Sequence, residues 1–251
     1  MAIIQLGGVA TWYDEQGDGE PVVLLHGGFV DSRMFLPALP VLDGLRVITV
    51  DRRGHGHTPD VHGPLSYDVM ADDMIAFLEK AVGGPAHLVG HSDGANVAMI
   101  VAMRRPDLVR RLVLISGNFR HDGLVPGVLD GFAEAVPYLG ARYGEVSPDG
   151  QEHFRVVVDK LLRMARSEPN LTEDDLGRIA SRTLVMSGDD DAVTLEHTIA
   201  LYRAIPESEL AVVPGTSHLL VMEKPEPVYR AILDFLTTNP TQTRQPIRRA
   251  R

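Results

Sequence analysis

His87-Leu88-Val89-Gly90-His91-Ser92-Asp93-Gly94-Ala95-Asn96-Val97-Ala98 is the stretch from which the rest of the chain can be read. A short apolar run enters a G-x-S-x-G pentapeptide, Gly90 to Gly94, and Ala95 to Met103 continues as a buried helix. Strand, sharp turn and helix therefore follow one another within about 17 residues. A turn this tight needs glycine on both sides of the serine, because a Cβ at 90 or 94 would strike the neighbouring strand or helix. It also leaves the Ser92 hydroxyl exposed above a sheet edge, at a helix N-terminus that favours developing negative charge.

Composition bounds what surrounds this turn. The chain has 251 residues, 44% hydrophobic and 23% charged, enough for one large α/β domain. No apolar run approaches the ~18 residues of a membrane span, and Met1 to Leu6 reads as a first strand rather than a signal peptide. The absence of cysteine removes disulfides and thiolate metal sites and fits a cytoplasmic protein. A net charge of −10 argues against nucleic acid as a partner. Thr237 to Arg251 carries four arginines and no acid, so the body is more acidic still; residues 238–251 read as a disordered tail.

Outward from the pentapeptide, apolar runs recur with glycine-containing turns at their ends. Val9 to Asp14, a turn at Gln16 to Glu20, and Pro21 to Leu25 read as an opening hairpin. His26-Gly27-Gly28-Phe29 follows, where two glycines let backbone N–H donors turn inward. Acyl transfer needs such donors where a carbonyl oxygen becomes an anion. Leu45 to Val50 leads into Asp51-Arg52-Arg53-Gly54-His55-Gly56-His57, whose arginines are expected to pair with nearby acids and whose two histidines make a poor metal site. Ser66 is placed to cap a helix from Tyr67 to about Ala81. Leu112 to Ser116, Arg182 to Ser187 and Leu210 to Pro214 are further core strands. The alternation of strands and helices predicts a mainly parallel sheet.

Residues 118–179 break the pattern. Prolines punctuate short amphipathic segments, among them Leu129 to Ala135 and Glu152 to Ala165, and no strand of comparable apolarity occurs. This predicts a helical lid over the sheet edge, inserted into a core of residues 1–117 and 180–237. Phe119, Leu124, Leu129, Phe132, Tyr138, Leu139 and Tyr143 are its candidates either for lining a pocket or for docking the lid onto the core. Beyond it, Gly188-Asp189-Asp190-Asp191 and Gly215-Thr216-Ser217-His218 end two strands, and a parallel sheet delivers all such loops to one edge.

These motifs, in this order, resemble those of the α/β-hydrolases over roughly residues 9–236. The resemblance implies a mainly parallel sheet flanked by helices with a lid, and catalysis by Ser92 as nucleophile, His218 as base and Asp191 as acid, with Asp189 as the alternative acid. It implies an oxyanion hole from the N–H groups of Phe29 and Asp93, and no cofactor or metal. Gly28, Asp93 and Phe119 are the expected substrate-binding residues, for a small-molecule substrate and a monomer or homodimer. Ser92-Asp93-Gly94 is similar to the turn of biphenyl-hydrolase-like enzymes, some of which cleave amino-acid esters. Ester or lactone hydrolysis is the leading expectation; carbon–carbon or amide cleavage, a lyase or perhydrolase reaction, and a non-catalytic ligand receptor are the alternatives. The Asp93 carboxylate beside a developing oxyanion calls for compensation, from hydrogen bonds to turn N–H groups, from an arginine such as Arg52 or Arg53, or from a substrate ammonium group.

Overall fold

The computed structural model describes residues 1–134, 136–241 and 243–245, with the side chains of 132–137 outside the description. The expectations placed on Phe132, on Ala135 and on tail residues 242 and 246–251 fall outside the described residues.

Eight strands form one sheet: β1 Ala2–Leu6, β2 Val9–Gln16, β3 Pro21–Leu25, β4 Arg46–Val50, β5 Ala86–His91, β6 Val109–Ile115, β7 Arg182–Asp190 and β8 Ser208–Ser217. Their spatial order is β1-β2-β4-β3-β5-β6-β7-β8, antiparallel through β1, β2 and β4 and parallel from β4 onward. The expected hairpin between β2 and β3 does not form. β2 instead pairs with β1 and with β4, and β4 lies between β2 and β3. The turn after β2 is packed so closely on the backbone of Gly44 and Leu45 that a Cβ at Gly17 or Gly19 would collide with it. That packing brings in the strand that separates the two.

The central strands are apolar on both sides through their middles because both faces are covered. Val23, Leu25, Leu88, Leu112 and Leu114 face one core, shared with α1 Tyr67–Phe77 and α2 Asp93–Arg104. Val22, Leu24, Val89, Val113 and Ile115 alternate onto the other, shared with a 3₁₀ segment at Ser32–Ala38 and with the terminal helix. α1 begins where its cap predicts: the Ser66 hydroxyl accepts the Val69 N–H at 3.2 Å. Its last turn widens at Leu78–Val82 and stops at Gly83, which adopts φ 83°.

Between β6 and β7 the chain is helical: α3 Val128–Glu134, α4 Val136–Gly144, α5 Phe154–Ala165 and the one-turn α6 Glu173–Leu176. α5 is moored to the loop after β4 through Asp60, which accepts Lys160 Nζ at 2.6 Å and pairs with His153 Nε2 at 2.9 Å. α7 Leu195–Ala204 joins β7 to β8; the one-turn α8 Leu220–Glu223 and then α9 Pro225–Thr237 complete the described helices. No helix among the described residues is long and apolar enough to cross a membrane.

Candidate active site

Four of the loops at the carboxyl ends of the parallel strands converge here. Ser92, between β5 and α2, holds φ 53° and ψ −120°, a conformation residues with a side chain rarely adopt. Its N–H donates to the Ile115 carbonyl at 2.8 Å, and its carbonyl accepts the N–H of Ala95 at 2.8 Å and of Asn96 at 3.1 Å, so the strain is held by neighbouring elements. The Gly94 backbone is so close to Leu25 and His26, and that of Gly90 so close to Gly94, that neither position has room for a Cβ.

His218, after β8, spans two partners. Its Nε2 lies 2.9 Å from Ser92 Oγ and its Nδ1 2.7 Å from Asp191 Oδ1. Asp191 has a fully buried side chain. Its Oδ2 also accepts the hydroxyls of Ser116 at 2.5 Å and Ser187 at 3.1 Å and the Gly188 N–H at 3.1 Å, while Oδ1 accepts the Val193 N–H at 3.2 Å. Burial alone would raise this carboxyl; the hydrogen bond and charge of His218, with the Ser116 and Val193 donors, outweigh it and hold the group well below the usual carboxylate range. Asp189, the alternative acid, is exposed and accepts the Thr216 N–H at 3.0 Å instead.

The opposite wall is the loop after β3. Phe29 holds φ 62°, and Gly28 approaches the turn so closely that a Cβ would lie 2.5 Å from Asp93 Oδ2. Arg52 fixes this loop from behind. Its buried guanidinium donates to the carbonyls of His26 at 2.5 Å and Gly27 at 3.0 Å, and its N–H donates to His26 Nε2 at 3.0 Å. Those contacts fix the peptide planes on either side of Gly27, just before Gly28 and Phe29, which line the cavity. Burial, then the Arg52 charge, keeps His26 neutral with its affinity for a proton well below the ordinary value.

The expected pairing of Asp93 with an arginine is one of charge alone: Arg52 acts on it electrostatically, and among the described residues neither Arg52 nor Arg53 forms an ion pair with it. Arg53 pairs with Asp73 at 2.6 Å, and Arg52 makes the loop contacts just described. The group that touches Asp93 is the Tyr67 hydroxyl, 2.7 Å from Oδ1, on the first residue of α1. Burial, then the Asp93 charge, pushes the Tyr67 phenol well above its ordinary value, so it stays a donor. Nor do His55 and His57 face a common point: His55 Nδ1 donates to the Arg53 carbonyl, while His57 pairs with Asp51 and stacks on Trp12.

Ser92, Asp93, Gly28, Phe29 and His218 line one cavity of about 460 Å³, roofed by Leu124, Leu129, Tyr138, Leu139 and Leu161. Phe119 is corrected: it is buried against the His197 ring, centroids 4.1 Å apart, and lines no part of this cavity. Three neighbours of the site escaped the sequence reading. Ser116 could have been found, because it ends the strand between those of Ser92 and Asp191. His91, whose Nε2 lies 2.7 Å from the His218 carbonyl, and Tyr67 depend on contacts between distant segments.

A profile of the alpha/beta hydrolase family matches residues 22–231. The chain belongs to that family. Among curated relatives it is similar to the sn-1-specific diacylglycerol lipase ABHD11 of Mus musculus, 27% identical over 86% of this chain and 80% of that one. It is also similar to the (E)-2-((N-methylformamido)methylene)succinate hydrolase of Acinetobacter baylyi, 25% identical over 91% and 94% of the two chains. In shape it matches the enol-lactonase of Burkholderia xenovorans with a TM-score of 0.75 at 21% identity, covering 94% of this alpha/beta hydrolase and 100% of that chain.

Proposed function

We propose that this alpha/beta hydrolase cleaves a small carboxylic ester or lactone through an acyl-enzyme on Ser92. The observation that carries the reading is the unbroken chain Asp191–His218–Ser92, with contacts of 2.7 and 2.9 Å, opening into a largely apolar cavity. Ser92 Oγ adds to the substrate carbonyl as His218 Nε2 takes its proton; the carbonyl oxygen, now negative, is met by the N–H groups of Asp93 and Phe29. Asp191 keeps the Nδ1 proton of His218 in place and stabilises the imidazolium. Collapse expels the alcohol, protonated by His218, and water then repeats the sequence on the acyl-enzyme. The lipase and enol-lactonase names of similar proteins agree with this class.

A second reading has its own support. The Acinetobacter relative is named for hydrolysis of a succinate derivative bearing an N-methylformamido group, and another solved relative in shape is named as a meta-cleavage product hydrolase. The same serine chemistry then acts on an amide or a carbon–carbon bond. Incubating the protein with p-nitrophenyl butyrate and analysing the Ser92 peptide by mass distinguishes these from a receptor. A butyryl increment on Ser92 with release of nitrophenol is the expected outcome; an unmodified peptide and no release would overturn the proposal.

A further inference from the structure

Arg142 stands out by what it does not touch. It lies in the last turn of α4, half-buried, where it borders the Ser92 cavity and a second cavity of about 270 Å³. The two share Phe29, Val30, Leu139, Arg142 and Met222 as walls, so Arg142 stands at their junction. Among the described residues it is the only arginine or lysine lining the Ser92 cavity, and its guanidinium makes no hydrogen bond or ion pair. Arg33, close by, shows the usual state of such a group: it is bidentate on Asp31 at 2.8 Å, pairs with Glu145 and donates to the Arg142 carbonyl. Asp31 is thus hydrogen-bonded by Arg33, with the Arg142 charge acting on it at longer range, and among the described residues the five N–H donors of Arg142 have no hydrogen-bonded protein acceptor in a mostly apolar setting.

We propose that Arg142 anchors a carboxylate carried by the substrate. The inference rests on the hydrolase reading of the same cavity and adds the substrate class to it: an ester or lactone with a single negative charge at a distance from the scissile carbonyl. A guanidinium matches a carboxylate in two parallel hydrogen bonds, and partial removal from water strengthens the pair. A dianion such as a phosphate monoester fits less well, since it would face one guanidinium, whose charge already acts on Asp31, with the Asp31 and Asp93 carboxylates in neighbouring walls. A substrate cation at the junction would meet repulsion from Arg142, so an ammonium group has only the Asp93 side of the cavity.

Two pairs of matched esters place the charge on either side of the scissile bond: p-nitrophenyl hydrogen glutarate against p-nitrophenyl pentanoate, and 3-carboxyphenyl butanoate against phenyl butanoate. The parent protein is expected to favour the charged member of at least one pair by about 10- to 100-fold in kcat/KM. That preference should collapse in Arg142→Gln and survive in part in Arg142→Lys. Equal or inverse preference in both pairs overturns the anchor, a result the parent protein gives without any variant. Binding tests the anchor apart from chemistry: Ser92→Ala should bind 5-phenylpentanoate by calorimetry, and Ser92→Ala with Arg142→Gln should not. Turnover of neutral esters without carboxylate binding overturns the anchor and leaves the hydrolase standing. Carboxylate binding without turnover of any ester does the reverse.

Discussion

The floor and the roof of the Ser92 cavity are built in opposite ways. Three charged groups beneath the floor are each held by several others: Asp191 receives five donors, Asp51 ties Ser32 and His57, and Arg52 grips two carbonyls and a ring nitrogen. The roof, contributed mainly by the helices between β6 and β7, presents mostly apolar side chains and one guanidinium that has no hydrogen-bonded partner among the described residues. Redundant bonding fixes reacting atoms within the fraction of an ångström that proton transfer requires. Sparse bonding leaves free valences for a ligand. Changes in the floor should therefore act on the rate for every substrate, and changes in the roof on the choice among substrates.

The largest expected effect is Ser92→Ala, which should lower turnover of an activated ester about 10⁴-fold or more without unfolding, since the hydroxyl contributes little packing. A folded variant that keeps most of its rate would remove the floor from the chemistry altogether. Asp191→Asn should cost about 10³- to 10⁴-fold in kcat, because the amide favours the wrong histidine tautomer. Asp189→Asn, two residues away and exposed, should cost less than threefold. If their order were reversed, the assignment of the acid would move to Asp189.

Ser116 sharpens the comparison further, because two substitutions separate its hydroxyl from its backbone. It holds φ 52°, a region that favours glycine, and donates to Asp191. Both Ser116→Gly and Ser116→Ala should lower kcat about tenfold for all esters, whereas only Ser116→Ala should also destabilise the fold. Unequal loss across substrates would place Ser116 with the roof. Leu129→Ala, in the roof, should shift preference toward longer acyl chains by about three- to tenfold while sparing the shortest esters.

The smallest effect is spread over pH. His26, His55 and His91 are buried in the floor, and burial, followed by neighbouring positive charge, lowers all three; His55 falls to about 4 and His91 to about 3. The unfolded chain takes up these protons near the ordinary histidine value of about 6.5 while the folded one does not. Stability is then complete above that value and is lost as pH falls from about 6.5 toward 4, by at most about 1.4 kcal/mol per pH unit for each group. Thermal midpoints should decline over this window and decline less steeply in His55→Phe. A midpoint constant from pH 7 to 4.5 would contradict it.

The same contrast governs what could be read in advance. β3, β5, β6 and β7 announce themselves because strands buried on both faces carry unbroken apolar stretches, residues 22–25, 88–89, 112–115 and 184–186, and the glycine turns at strand ends mark Ser92, Asp191 and His218. The expected hairpin fails because strands adjacent in sequence are not adjacent in the sheet. β4 enters between β2 and β3 after a crossover that no local pattern encodes. Tyr67 and Asp93 lie 26 residues apart and Phe119 and His197 78 apart, and side chains of one helix face give no sign of which distant ring or carboxylate they will meet. Roof residues were legible as apolar, but not which of them would see the cavity.

Gly90 and Gly94 carry a consequence for anyone varying this protein by directed evolution. The backbones of β3, β5 and α2 meet at these two glycines with no space for a methyl group. A library randomised over positions 90–94 is thus far smaller than its codons suggest. Positions 90 and 94 eliminate nearly every member at the level of folding, before activity is ever selected. Usable diversity resides at 91 and 93, one touching the His218 backbone and the other the Tyr67 hydroxyl. Each change there retunes a neighbour from another part of the chain, so productive variants at 91 and 93 are best sought together with changes at 67 and around 218.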